Sequence, residues 1–349
     1  MEHSAAQHKY DAKYDLVKLG LAVMVLAIHA GLFPSVLYPW LRIAVPLFFL
    51  LSSYFLFSKL AQAKKEAHKK ILLDFAKRNL CLYLAYFLLL LPFTLYIRRA
   101  AWFSGTLAEN VFSILKSALF GSTFVASWFL TALVLGTLLV YALCRLLKTV
   151  PTLLLSLAAF VFVTLSSSWR VLLADTALPS VFDGYTACLG FPATSFLAAL
   201  FWVAAGKCLA EKKNVSLPTP LLGGCAVLFA ALLFAEWNWI ASLDGCINYD
   251  SYFSLAPLCL TLFALIQKIK PFYWAPSVYF KRASTVLYVL HGTAVLFVAA
   301  LVKKLFGKPI PLLSFCITLI GCIAAYFLLE TLIAKCREGR LKNLLKLLY

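Results

Sequence analysis

The chain has 349 residues, of which 63% are hydrophobic and only 13% charged, and its formal net charge is +18. A soluble domain carries about 25% charged residues, so this composition excludes an ordinary soluble enzyme. The positive balance could suggest nucleic acid, but Lys and Arg gather beside the ends of apolar runs, which is how membrane topology is written into a sequence.

Ten apolar runs follow one another at 16–33, 40–59, 78–97, 127–147, 152–168, 190–210, 219–238, 252–268, 284–303 and 311–334. Their lengths suit a bilayer crossing of about 17–25 residues. The expected fold is an all-α polytopic membrane bundle of about ten transmembrane helices. It forms one domain over 1–349, with tails 1–15 and 335–349 around spans 16–334. The fifth run is short and ends in Ser166-Ser167-Ser168. The first follows a polar start without a signal-peptide cleavage site, so it is expected to remain as a span. An even number of spans puts both termini on one side. That side, with loops 59–78, 145–151, 207–218 and 268–283, carries 24 of the 32 cations and the other side 8. Both termini are therefore expected in the cytoplasm, in a multi-pass plasma-membrane protein. Lys303, Lys304 and Lys308 stand against the trend.

The loop 59–78 is the most basic. It reads as a topology anchor touching anionic lipid, or as an attractor for a polyanionic cytosolic ligand such as a phosphorylated thioester donor. On the opposite side, Leu107, Val111, Ile114, Leu115 and Ala118 share one helical face, which predicts an amphipathic helix at the interface. Two further loops are expected there, 167–189 (Trp169, Arg170, Asp175, Asp183) and 236–251 (Glu236, Trp237, Trp239, Asp244, Asp250). Carboxylates beside Trp suit a carbohydrate, although Trp also forms interfacial belts on many membrane proteins. The ten cysteines contain no CxxC pair and most lie in apolar runs. Cys188 and Cys246 fall in loops on one side and could pair.

Of the five histidines, His3, His8 and His68 lie outside the spans, whereas His29 and His291 lie within them. An ionisable residue in a span is costly and is a functional candidate by default. For His291 a bland alternative stands beside it, a hydrogen bond within the bundle to Tyr288 one turn earlier. Lys18 and His29 are eleven residues apart. At about 100° and 1.5 Å per residue they point the same way, about 16 Å apart along the axis. A neutral His can take a proton from a hydroxyl as general base, so that a sugar hydroxyl attacks a thioester carbonyl. A cation further along the same face could hold the donor's phosphates or stabilise the oxyanion. Both residues are then expected to line one cavity open to both sides. No metal site is expected, since there is no HExxH, no Cys/His cluster and no carboxylate pair at ligand spacing. Phosphate-binding Gly-rich loops and a GxSxG elbow are also missing. Of the acidic residues only Glu330 comes near a span interior, which disfavours ion-coupled transport.

Several stretches resemble the membrane acyltransferase family 3, the sugar and peptidoglycan O-acyltransferases. In DLVKLGLAVMVLAIH, Asp15 and His29 match the first span of that family, with Lys18 at its Arg position. RIAVPLFFLLSSYFLF (Arg42 to Phe57) is similar to the second span, with Ser53 in place of a Gly. Lys77-Arg78 match the basic pair of the third span, with Cys81 where a further Arg is usual. SWFLTALVL (Ser127 to Leu135) resembles the WFL span and STVLYVLHGT (Ser284 to Thr293) the late Tyr-x-x-His span. The resemblance implies about ten spans and transfer of an acyl group, often acetyl, from cytosolic acyl-CoA to a hydroxyl of an extracytoplasmic glycan or cell-wall acceptor. It implies His29 as catalytic base with Lys18 and Asp15, and donor binding by Lys77, Arg78, Ser52 and Trp128. Arg42, Tyr288 and His291 fall to the acceptor side or to structure. Acyl-CoA enters as donor substrate, with no bound cofactor or metal and no nucleic-acid partner. The alternatives are a transporter or flippase for a sugar or lipid-linked glycan, and a membrane sensor or scaffold.

Overall fold

The computed structural model describes residues 11–32, 37–212, 217–246 and 249–349. The first part of the expected N-terminal tail, with His3, His8 and Lys9, lies outside them, as does Lys213. In chain order the α-helices are α1 (Ala12–His29), α2 (Tyr38–Leu41), α3 (Ala44–Gln62), α4 (His68–Leu89), α5 (Leu91–Trp102), α6 (Leu107–Phe120), α7 (Trp128–Leu147), α8 (Thr149–Ser166), α9 (Leu178–Leu189), α10 (Phe196–Lys212), α11 (Thr219–Ala241), α12 (Leu255–Lys268), α13 (Ser277–Phe306), α14 (Pro311–Lys335) and α15 (Arg340–Leu345). Among the described residues there is no β-strand. The protein is an all-α membrane bundle.

Each of the ten apolar runs carries a helix, but they are not ten equal spans. Among the described residues six helical stretches are long and apolar enough to cross a membrane unaided: Tyr38–Gln62, α7, α8, α11, α13 and α14. Two bent pairs can each supply one more crossing. α4 with α5 bends by 84°, and the 178–194 segment with α10 bends by 46°. The first bend corrects the straight span expected over 78–97. Pro92 lies in the first turn of α5 and has no N–H to continue the ladder of α4, so the chain restarts there in a new direction. α12 is apolar but short, at 14 residues. α1 carries Lys13, Asp15 and Lys18 near its start, where charge takes the place of apolar length.

The segments expected as loops are also more ordered than read. Residues 167–189 contain a 3₁₀ turn (Ser168–Leu173) and α9, while α11 runs on to Ala241, so that Glu236, Trp237 and Trp239 are helical. Cys188 and Cys246 are not joined by a disulfide. The amphipathic helix expected near 107–118 is α6. Thr106 and Glu109 close a capping box at its start, which satisfies two otherwise orphaned backbone donors. Leu107, Val111 and Leu115 are exposed on it, as expected of a helix lying on the interface.

At the centre, α1 packs along α13 and α3 along α10. Small residues allow the second contact. A Cβ at Gly206 would meet Ser53 Oγ at 2.0 Å and the Leu50 carbonyl oxygen at 3.0 Å. Such residues let helices approach closely where lipid supplies no hydrophobic drive. A similar approach fixes α13: a Cβ at Gly292 would meet Val125 Cγ1 at 2.5 Å. The neighbouring Ala126 has φ 64°, a left-handed conformation that a residue with a Cβ adopts only when its surroundings hold it there. In contrast α11 and α14 present most of their surface outward. Glu330, the acid nearest a span interior, is bonded at 3.0 Å to Arg282.

Candidate active site

α1, α3, α7 and α13 run side by side through the middle of the bundle and bound two cavities, one towards each end of α1. α3 runs opposite to α1, so its late residues reach the Lys18 end and its early residues the His29 end.

The Lys18 cavity has a volume of about 570 Å³. Its cations are Lys18 from α1, Lys59 from α3, Arg78 from α4 and Lys281 from α13, and its carboxylates are Asp11, Asp15 and Asp74. Ser52 and Asn79 add neutral polar groups. Lys18 Nζ lies 5.3 Å from the Phe55 ring centroid, within cation–π range. Asp15, one turn earlier, is buried, and one of its carboxylate oxygens has no hydrogen-bond partner. The wall is therefore cationic in excess, with donors from four helices converging on one space. That is a setting for a polyanion.

The His29 cavity is smaller, about 200 Å³. His29 is exposed towards it from the last turn of α1. Phe49, Trp128, Phe160, Trp202 and Tyr288 supply aromatic surface, and Thr194 and Ser251 supply hydroxyls. At its rim Arg42 Nη1 meets Asp250 Oδ1 at 2.5 Å across 208 residues of sequence, and the guanidinium also lies 4.3 Å from the Tyr38 ring centroid. Ser251 belongs to a second polar contact, its Oγ lying 2.9 Å from Thr164 Oγ1.

Lys18 and His29 do lie on one helical face, because the same neighbouring helices line both cavities. They do not share one open cavity, and that expectation is corrected. Between the two sit Ala22 of α1, Phe49 of α3, Phe129 of α7 and Tyr288 of α13, all buried. Phe49 and Phe129 have ring centroids 4.5 Å apart, and Phe129 and Tyr288 5.1 Å apart. These distances are those of packed aromatic pairs. Tyr288 Oη donates to the Ala126 carbonyl at 3.3 Å. These packed rings form the partition.

The residues singled out from sequence divide between these places. Asp15, Lys18, Ser52 and Arg78 line the Lys18 cavity, and His29, Arg42, Trp128 and Tyr288 line the other. Trp128, assigned with the donor group, thus lies at the far end from Ser52 and Arg78. Lys77 is exposed and lines neither cavity, since adjacent helical residues point about 100° apart. His291 is fully buried behind His29, with ring centroids 5.1 Å apart. Of the acids expected to meet a sugar, Asp250 lines the cavity. Glu236 instead accepts from Trp169 Nε1 at 2.7 Å and from the backbone N–H groups of Phe253 and Ser254 at 2.8 Å, and so holds the chain entering α12. Asp183 is bonded to Arg170 through two 2.9 Å contacts. Lys281, Asp74, Thr194, Ser251 and Trp202 were not singled out. For Lys281 a signal exists: it lies seven residues, two helical turns, before Tyr288. Ser251 and Thr194 reach the cavity from connecting segments that carry no periodicity.

Comparison with known proteins gives the family. The profile of an acyltransferase domain matches residues 11–330, and the chain belongs to that family. It is 25% identical over 350 residues to a protein named amino-acid racemase from Enterococcus faecalis, covering 94% of this chain and 47% of the relative. It is 30% identical over 139 residues to a serine/alanine racemase from Enterococcus gallinarum, covering 37% of this chain and 19% of the relative. The chain thus spans less than half the length of these curated relatives. No solved structure matches it.

Proposed function

With membership of the acyltransferase family as the premise, we propose that the chain is a membrane O-acyltransferase that joins an acyl-CoA in the Lys18 cavity to a hydroxyl acceptor in the His29 cavity. The observation that carries this reading is the pair of cavities at the two ends of α1, with four cations in one and an accessible imidazole in the other. The phosphates of the donor suit Lys18, Lys59, Arg78 and Lys281. Arginine contributes a planar fork of donors and lysine a compact point charge, so the two residue types grip phosphate differently. The acceptor is a glycan or cell-wall hydroxyl, for which the aromatic wall offers stacking surface and Thr194, Ser251 and the Arg42–Asp250 pair offer hydrogen bonds. In this reading the Lys18 end and both termini face the cytoplasm of the plasma membrane, and the acyl group is acetyl.

The chemistry balances with these groups. The His29 ring takes the acceptor's hydroxyl proton as its oxygen attacks the thioester carbonyl. The carbon–sulfur bond breaks as the tetrahedral intermediate collapses, and the departing thiolate takes the proton back from the imidazolium. General base catalysis of this kind contributes about 10²–10⁴-fold. For the thioester to reach His29, the rings of Phe49, Phe129 and Tyr288 must part. The test is His29→Ala, with membrane abundance matched to wild type and acylation of surface glycans read by mass spectrometry. Acylation should be lost, and unchanged acylation would sink the reading.

A second reading, a transporter or flippase for a sugar or lipid-linked glycan, draws on the same partition. A layer of rings closing a path through the bundle also suits alternating access, in which one site opens to one side at a time. It predicts movement of a labelled glycan across proteoliposomes without any thioester present, and that flux should survive His29→Ala.

A further inference from the structure

His29 has a partner that no role yet explains. His291 is 0% exposed. Its Nδ1 lies 2.6 Å from the carbonyl oxygen of Tyr288 and 3.2 Å from that of Leu287. A carbonyl oxygen only accepts, so Nδ1 carries the proton and donates to both. The neutral ring then has its lone pair on Nε2. That Nε2 is buried and has no hydrogen-bond partner. The bland alternative for His291, a bond to the Tyr288 side chain, does not occur, because the Tyr288 hydroxyl is used by Ala126. The nearest ring in the other direction is His29, with centroids 5.1 Å apart and planes inclined at 47°. The backbone beneath is pinned, because Gly292, the next residue, lies against Val125 with no room for a Cβ.

Resting on the acyltransferase reading, we propose that His291 is a positioning residue for His29, its Nε2 accepting one ring N–H of His29 in the acting state. Buried polar atoms are almost always paired, and the ring beside this one that can donate is the imidazole of the base, with centroids 5.1 Å apart. The bond would fix the tautomer of His29, leaving its other nitrogen as a bare acceptor towards the cavity. When that nitrogen takes the hydroxyl proton, the charge formed on His29 is met by a neutral acceptor already in place. No proton needs to pass between the two rings. The backbone carbonyls of Leu287 and Tyr288 fill the orienting place that a carboxylate fills in other base assemblies, one step further back.

The test uses the full chain in lipid nanodiscs, with acetyl-CoA as donor probe and lysozyme-released cell-wall fragments as acceptor probe. His291→Phe keeps a ring of similar size and removes the acceptor atom. It should lower kcat by about 10–100-fold while both KM values stay within about twofold, because the lost interaction acts in the transition state rather than in binding. His291→Gln restores an acceptor oxygen on a side chain of comparable reach and should recover part of that loss. Wild-type kcat in both variants overturns the proposal. So does an equal fall in both that is accompanied by raised KM and a lowered Tm, which would make His291 a packing residue. His29→Ala runs in parallel: activity retained there defeats the acyltransferase reading itself, whereas loss there with His291→Phe at the wild-type rate defeats this inference alone.

Discussion

The two cavities share four helices, α1, α3, α7 and α13, and differ in almost everything else. The Lys18 cavity is wide, about 570 Å³, and its wall is charged from four directions. The His29 cavity is about 200 Å³ and mostly aromatic, with one ion pair at its rim. A short walk along each helix changes one into the other: Lys18 to Val25, Ser52 to Phe49, Leu133 to Trp128 and Lys281 to Tyr288. The contrast teaches how a membrane helix can hold two unlike environments without a domain boundary. Charge is tolerated near a bilayer surface and costs several times more towards its centre. The cationic set accordingly sits near the start of α1, and the deeper layer is closed by rings.

Substitutions should separate the two ends. The largest expected effect is at His29. Loss of the base should lower kcat by about 10²–10⁴-fold with little change in the apparent affinity for the donor, measured by thiol release from acetyl-CoA. Equal losses in kcat and in donor affinity would mean that the ends are not separate sites. Next comes the partition. Phe129→Ala removes the ring that touches both Phe49 and Tyr288, at a cost in stability of about 3–5 kcal/mol. In the variant that remains folded, acetyl-CoA should be hydrolysed without an acceptor, because water gains a path between the spaces; thiol release uncoupled from product formation is the readout. A smaller effect is expected at Arg78. Arg78→Gln should raise donor KM by about tenfold with kcat retained, and flatten the dependence of KM on salt, as for an interaction used in binding alone. A rise in acceptor KM instead would break the comparison.

The smallest effect concerns α6, whose end lies against Gly190, where a Cβ would be 3.2 Å from the Phe120 carbonyl oxygen. The Thr106 backbone N–H, and then its hydroxyl, hold the Glu109 carboxyl below the usual carboxylate range. A depressed pKa stabilises the folded form above the ordinary carboxylate pKa, and that contribution fades as pH falls through the lowered value. Amide protection over 107–120, taken relative to the chemical exchange rate at each pH, should therefore fall on acidification in the wild type. In Glu109→Gln, which keeps a capping acceptor but cannot titrate, exchange should not change with pH beyond the chemical rate.

Much of this arrangement could be read from the sequence, and the reasons are local. Ten apolar runs announce ten helices because hydropathy is averaged over neighbours. Lys18 and His29 announce a shared face because eleven residues is almost a whole number of turns. Pro92 was present to signal the bend between α4 and α5 but lay inside an apolar run that read as straight. The choice between Lys77 and Arg78 needed the rotational setting of α4, which depends on what packs against it. The partition was illegible for a different reason. Phe49, Phe129 and Tyr288 are unremarkable residues in apolar runs, and only tertiary packing makes a wall of them. The Arg42–Asp250 pair joins residues 208 apart, a separation over which no periodicity carries information. The relation of His291 to His29 combines both difficulties, since two spans far apart in sequence meet ring to ring.

The eleven residues between Lys18 and His29 also set a length. If anions are held at the first and acyl transfer occurs at the second, a donor must carry its charge and its reactive carbon about 16 Å apart, by helical rise alone. A molecule with its acyl group at the end of a long flexible arm meets that requirement. An acyl phosphate, whose charged and reactive atoms adjoin, would be anchored at the wrong end of α1. Under that condition the first helix would act as a gauge, selecting donors by reach before any bond is made or broken.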